Sequence, residues 1–313
     1  MSGTLPTREA IVATARESIA RGSKSFSAAS LLFDRATRQR SWLLYAWCRR
    51  CDDIVDGQDH GHGMSAVADA PARLAEVRVM TDMALAGQVV GDPAFDALRI
   101  VAAETAMPPR LAHDLLAGFQ LDVDGWRPRS EDDLMRYCYH VAGVVGCMMA
   151  VAMGVSPDDQ ATLDRACDLG LAFQLANIAR DLSEDDAAGR CYLPAEWLAE
   201  IDVPPGETMR PHYRPRVAML ARRMAARAAA FEDSARIGAR ALPFRSRWAV
   251  LSAGNIYGAI AREVARRGEH AWDRRVTTGA GEKLRFIARA GLEAARPAGP
   301  DTPRDATLWT RPR

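Results

Sequence analysis

Nearly every segment of this chain repeats its apolar residues at a spacing of about 3.6, and no set of alternating β-branched runs is present from which a sheet could be built. The background is rich in Ala, Leu, Arg and Glu, most of them strong helix formers. This periodicity confines the chain to an all-α fold. It predicts helices over residues 7–21, 35–56, 66–87, 94–105, 109–123, 131–153, 157–186, 194–200, 211–239, 244–268 and 279–294. Breaks are expected at Gly22, at GQDHGHGM (57–64), at Gly91 to Pro93, at Pro108 and Pro109, at Arg127 to Ser130, at Gly189 and at Val203 to Gly206. None is long enough to act as a linker, so residues 1–295 read as one domain. The stretch from Arg296 onward is rich in Pro and polar residues and is expected to be a poorly ordered tail.

Two short stretches stand out from this helical background: CRRCDDIVDG (48–57) and NIARDLSEDDAAG (177–189). Tyr45, Arg49, Asp52 and Asp56 are spaced i, i+4, i+7 and i+11, which places them on one narrow arc of a helix. Their neighbours Leu43, Leu44, Trp47, Cys51, Ile54 and Val55 are apolar, and a helix apolar around most of its circumference is buried. Gln174, Asn177, Asp181 and Asp185 form a second stripe with Phe173, Leu175, Ile178 and Leu182 around it. Each polar stripe is expected to face an internal apolar cavity, with the two acidic ends opposed across it.

Both acidic clusters fall near helix C-termini, where the macrodipole disfavours an anion by about 0.3–1 kcal/mol. Two carboxylates roughly 6 Å apart add about 3 kcal/mol of repulsion at an effective dielectric near 20. A hard divalent cation would offset this, and Mg²⁺ commonly joins one or two carboxylates to substrate phosphates. Arg49 and Arg180, beside the acids, suit bidentate phosphate contact, which points to a diphosphate ligand. Such a clamp lets diphosphate leave an allylic carbon, and an apolar pocket shields the resulting carbocation from water.

Other chemistries lack their parts. There is no GxGxxG and no GxxxxGK[ST], and His60 and His62 have no third metal ligand in view. Cys48 and Cys51 form a CxxC without a second pair, so packing is the expected role for these and for Cys138, Cys147, Cys167 and Cys191. A net charge of +1 gives no field favouring nucleic acid. The N-terminus lacks the uninterrupted apolar run of a secretory signal, which leads to an expectation of a cytoplasmic protein with reduced thiols. The longest uncharged apolar run, Val141 to Val155, is too short to cross a bilayer and reads as a buried helix.

The chain resembles the squalene and phytoene synthase family over nearly its full length. The resemblance is carried by GSKSF (22–26), LYAWCRRCDDIVDG (44–57), YCYHVAGVVG (137–146), LAFQLANIARDLSEDDAAGRCYLP (171–194) and NIYGAIAREV (255–264). It implies the isoprenoid synthase (class I terpenoid synthase) helical fold. It also implies head-to-head condensation of two geranylgeranyl diphosphates through prephytoene diphosphate to phytoene, in carotenoid biosynthesis. By the same resemblance Asp52, Asp56, Asn177, Asp181 and Asp185 are the ligands of Mg²⁺ or Mn²⁺, and no NAD(P)H is needed. Gly22, Ser23, Lys24, Ser25, Tyr45, Arg49, Gln174 and Arg180 are implied diphosphate contacts, with Tyr137 and Tyr257 as pocket tyrosines.

Chain-elongating prenyl diphosphate synthases fit less well, since their second motif usually opens with adjacent aspartates and Asp181 is followed by Leu182. A squalene-type reaction would need a nicotinamide site. A dehydrosqualene synthase acting on farnesyl diphosphate, and a helical isoprenoid-binding protein without turnover, stay open as readings. Because phytoene is a hydrocarbon, peripheral membrane contact near the pocket mouth is expected as well.

Overall fold

The computed structural model describes residues 6–56, 69–297, 299 and 302–313, and the side chains of Lys24, Ser25 and Asp56 lie outside what it describes. All regular structure among the described residues is helical. The loop 57–64 with Gly57, His60 and His62, and the expected helix start at 66–68, fall outside the described residues. Contacts group the chain into two compact units, residues 1–124 with 148–159, and residues 125–147 with 160–313. The first unit resumes at residue 148, inside a helix, so no linker composition announces that boundary.

In the first unit, α1 (Arg8–Gly22), α2 (Lys24–Ser30), α3 (Arg35–Asp56), α4 (Ala70–Leu85), α5 (Pro93–Thr105) and α6 (Pro109–Val123) follow one another. Thr7 and Asp92 cap α1 and α5 by accepting from the amides of Ala10 and Ala94, satisfying donors that would otherwise be orphaned. Ile11, Ala15 and Ile19 of α1 are buried at i, i+4 and i+8, and α1 packs on α3, whose Leu43, Leu44, Trp47 and Cys51 are also buried. Each buried leucine or isoleucine contributes roughly 1.5–3 kcal/mol. The sequence reading left residues 23–30 without a helix; Ser23 supplies the missing start, its Oγ accepting from the Phe26 amide to cap α2.

The second unit is built around α9 (Gln160–Ala187), with α7 (Glu131–Cys138), α10 (Ala195–Glu200), α11 (Arg214–Gly238), α12 (Phe244–Arg267) and α13 (Ala280–Ala294). Its most extensive packing is α11 on α9, followed by α13 on α12. Between α7 and α8 (Val144–Ala152) the backbone widens into a π-helical turn over Tyr139–Gly143. That turn lies where the chain crosses α9 at closest approach. A Cβ on Gly170 would sit 2.3 Å from the Ala142 carbonyl oxygen, and one on Gly146 would sit 2.3 Å from that of Ala166. Gly170→Ala is therefore expected to cost about 1–3 kcal/mol in a urea titration, the usual cost of overpacking. Gly281→Ala on α13, where a Cβ meets nothing within 4 Å, should leave the midpoint unchanged or raised and serves as the control. The whole run Glu131–Ala152 has the length and apolarity of a membrane span, but Leu134, Met135, Tyr139, Val144, Cys147 and Met148 are buried within the protein.

The C-terminal stretch differs from its expectation. Residues 302–313 pack on α9: Arg304 makes two contacts to Asp168 at 2.6 and 2.8 Å, Arg311 pairs with Asp164 at 2.8 Å, and Arg313 adds a second ion pair to Asp164 at 3.1 Å. Leu308 and Arg311 are buried, and the Trp309 indole donates to Asp132 at 2.8 Å. Asp168 is fully buried, and burial keeps its carboxyl above the ordinary range even with Arg304 and the Ser234 hydroxyl bound to it. Average composition pointed to disorder, but charge pairing at two buried acids decides the outcome.

The cysteines are free thiols, with Cys51, Cys138, Cys147 and Cys167 buried. Burial pushes Cys48 up to about 12, so the CxxC pair is inert at neutral pH.

Candidate functional site

In the first unit, α3 presents the stripe read from the sequence. Leu43, Leu44, Trp47, Cys51 and Val55 are buried, while Tyr45, Arg49 and Asp52 are half-buried. The Arg49 guanidinium donates to Asp52 Oδ2. Burial opposes the charge on Arg49, but Asp52 outweighs it and the guanidinium is held more firmly protonated than usual. The Tyr45 hydroxyl and Arg49 Nε are buried without a hydrogen-bond partner. Buried donors left unsatisfied cost about 1–3 kcal/mol each, and two of them side by side on a polar stripe suit an anionic ligand. Gly22 lies against this tyrosine, since a Cβ there would meet the Tyr45 hydroxyl at 2.3 Å. Ser23 is occupied in capping α2. Asp56 closes α3, its side chain, like those of Lys24 and Ser25, outside the description.

In the second unit, Gln174, Asn177, Arg180, Asp181 and Asp185 are half-buried along α9, and the buried Leu175, Ile178 and Leu182 flank that stripe. Neither the Gln174 nor the Asn177 amide has a hydrogen-bond partner among the described residues. Arg180 grips Asp181 through both nitrogens, at 2.7 and 2.5 Å. A second arginine, Arg275, reaches Asp181 at 2.8 Å and Glu184 at 3.1 Å. Its loop is pinned by Trp272, whose indole donates to the Ala179 carbonyl at 3.0 Å. The sequence reading missed both residues, because a contact across about ninety positions leaves no trace in local spacing.

Tyr257 of α12 stacks on Phe173 with ring centroids 4.1 Å apart. Burial raises its hydroxyl above the ordinary range, with Arg180 opposing, so the phenol stays protonated at neutral pH. Tyr137 sits in an aromatic stack between Trp126 at 5.7 Å and Tyr192 at 4.8 Å.

Asp185 is pushed up to about 6, chiefly by burial and then by the charge of Asp181. An acid whose folded value lies above its unfolded one binds its proton more tightly when folded. Its ionised form therefore costs stability, and the cost appears as pH rises through about 4 to 6. Asp185→Asn should raise the unfolding free energy of the metal-free protein by about 1–2 kcal/mol at pH 8 and leave it unchanged near pH 3.5, as read by thermal melts at both values.

No group of three or more His, Cys, Asp or Glu close enough to hold a metal ion occurs among the described residues. The donors present on each stripe, Asp52 on α3 and Asn177, Asp181 and Asp185 on α9, are nonetheless the hard oxygens that Mg²⁺ prefers. Asp181 is neutralised by Arg180 and Arg275, and Asp52 by Arg49, all three groups that a diphosphate would compete for.

The described helices resemble those of a ligand-bound dehydrosqualene synthase with a TM-score of 0.81 at 26% identity, covering 91% of this chain and 96% of that one. A squalene synthase from Alicyclobacillus acidocaldarius matches at 0.72 and 25% identity, over 84% of this chain and 97% of that one. The fold is thus the all-helical class I terpenoid synthase fold. The family model described as squalene/phytoene synthase matches residues 19–282, and the chain belongs to that family. A phytoene synthase from Pseudescherichia vulneris is 46% identical over 95% of this chain and 97% of its own length. The 15-cis-phytoene synthase of Enterobacter agglomerans is also 46% identical, over 93% and 99%.

Proposed function

We propose that this protein condenses two geranylgeranyl diphosphates head to head to phytoene, as a prenyltransferase of carotenoid biosynthesis. The observation that carries this reading is the pair of buried, unpartnered donors, Tyr45 Oη and Arg49 Nε, beside Asp52. It is supported by the names of the relatives at 46% identity.

In this reading Arg49 and Tyr45 on α3, and Arg180 with Arg275 around α9, bind diphosphate oxygens. Asp52, Asp56, Asn177, Asp181 and Asp185 would hold Mg²⁺, or Mn²⁺, which when bound supplies Lewis-acid charge neutralisation on the leaving diphosphate. The first ionisation produces an allylic cation, which the 2,3-double bond of the second substrate attacks; loss of a proton closes the cyclopropane of prephytoene diphosphate. The second ionisation releases the other diphosphate, the skeleton rearranges, and loss of a proton forms the central double bond. Tyr257, kept protonated, offers a hydrogen-bond donor at Oη, and its π-face, stacked with Phe173, favours a nearby cation. Buried Leu175, Ile178 and Leu182 restrict water around α9. The insolubility of the product supports peripheral contact with the membrane from the cytoplasmic side.

Incubation with radiolabelled geranylgeranyl or farnesyl diphosphate and Mg²⁺, followed by hydrocarbon analysis, tests the proposal. Phytoene from the C20 substrate, abolished by EDTA, is expected; dehydrosqualene as the dominant product, or no hydrocarbon with either substrate, would overturn it.

A further inference from the structure

Outside the two stripes, a cavity of about 1080 Å³ opens among α11, α12 and α13. Nine arginines and five acidic residues line it, so its charge is strongly positive. Four of those arginines are paired: Arg236 with Glu232 and Glu293, Arg262 with Glu232, and Arg266 and Arg267 with Glu263. Arg285, Arg289 and Arg296 are different. Arg285 and Arg289 lie one turn apart on α13 and Arg296 lies just past its end, all three lining the cavity, and none makes an ion pair or hydrogen bond among the described residues. Like charges one turn apart destabilise a helix by a few tenths of a kcal/mol, so the pair is not there for the stability of α13.

Arg247, on the same wall, reaches only the backbone carbonyls of Arg240, Leu242 and Ala294, and its Nε is buried without a partner. A half-buried guanidinium compensated by no carboxylate, sharing one cavity wall with three exposed arginines that have no acidic partner, is a binding surface for a multiply charged oxyanion. Tyr257 and Phe173 do not line this cavity, which places it on the other side of α12 from the α9 stripe.

We infer that the cavity is a second anion site that takes a phosphate-bearing ligand. Two sources share that chemistry: free diphosphate, and the headgroup of an anionic lipid. Leu284 and Leu292, exposed on α13 beside the arginines, would meet the acyl region in the second case.

The test uses the full chain in EDTA without prenyl substrate, so that its result is independent of turnover. Inorganic pyrophosphate is titrated calorimetrically, and cosedimentation is measured with phosphatidylglycerol–phosphatidylcholine vesicles. The variants are R285Q/R289Q/R296Q and L284S/L292S, each checked for an unchanged melt. Loss of pyrophosphate affinity by about tenfold or more in the arginine variant alone supports the site with free diphosphate as its ligand. Loss of vesicle binding in both variants supports it with the lipid headgroup as ligand. If the wild-type chain binds neither probe, or the arginine variant binds both as the wild type does, the inference is wrong.

Discussion

Replacing Asp181 by asparagine is expected to lower the rate of diphosphate release from geranylgeranyl diphosphate by about a thousandfold, equivalent to some 4 kcal/mol of transition-state stabilisation. The substitution keeps the shape of the side chain and removes its charge. In the structure that charge organises the stripe: Arg180 binds it with both nitrogens and Arg275 reaches it from a loop about ninety residues away. Without it both arginines lose their common partner, and a hard-cation donor is lost with them. Asp52→Asn should act as strongly, because Asp52 is the partner of Arg49. Asp186→Asn is the control, an acid of the same cluster outside the stripe. Retention of a tenth or more of the wild-type rate by either stripe variant, at saturating Mg²⁺, would remove that acid from the proposed machinery.

The second large effect concerns stability. Deleting residues 302–313 strands Asp168 and Asp164, the first fully buried, without Arg304, Arg311 and Arg313. Breaking a buried ion pair from one side costs about 3–5 kcal/mol, since the remaining charge stays desolvated. The truncated chain should therefore unfold at a much lower urea concentration, and Arg304→Ala alone should reproduce a large part of the loss. A diagnostic follows from the cause. Adding Asp168→Asn to the truncated chain should recover stability, because it removes the uncompensated charge; the same substitution in the full chain should destabilise. If the truncation leaves the urea midpoint unmoved, the tail carries no such role.

The helices were largely legible because each buries a stripe, and a stripe is a local pattern with a fixed period. The bounds of α3, α6 and α13 lie within a residue or so of those read from spacing and from Gly and Pro breaks. Helix α2 was not legible, being seven residues long and dependent on one serine cap. The π-turn at Tyr139–Gly143 was hidden too, since it lies where Gly170 closes on the backbone of Ala142 and Gly143, a contact that local spacing does not record. The polar stripes on α3 and α9 were readable for the same reason as the helices, whereas Arg275 and Trp272 were not.

By itself, then, the sequence determined that this protein is helical, which faces of its helices are buried, and where along α3 and α9 the acids and arginines lie, because all of these follow from neighbours within a few turns. Tertiary structure alone decided that Arg275 closes on Asp181, that Phe173 carries Tyr257, that the arginines of α13 line one cavity with Arg247, and that residues of a polar tail pair with buried acids of α9. Charge pairing and ring stacking act through space over a few ångströms, and residues more than a hundred positions apart can meet at that distance only once the chain has folded.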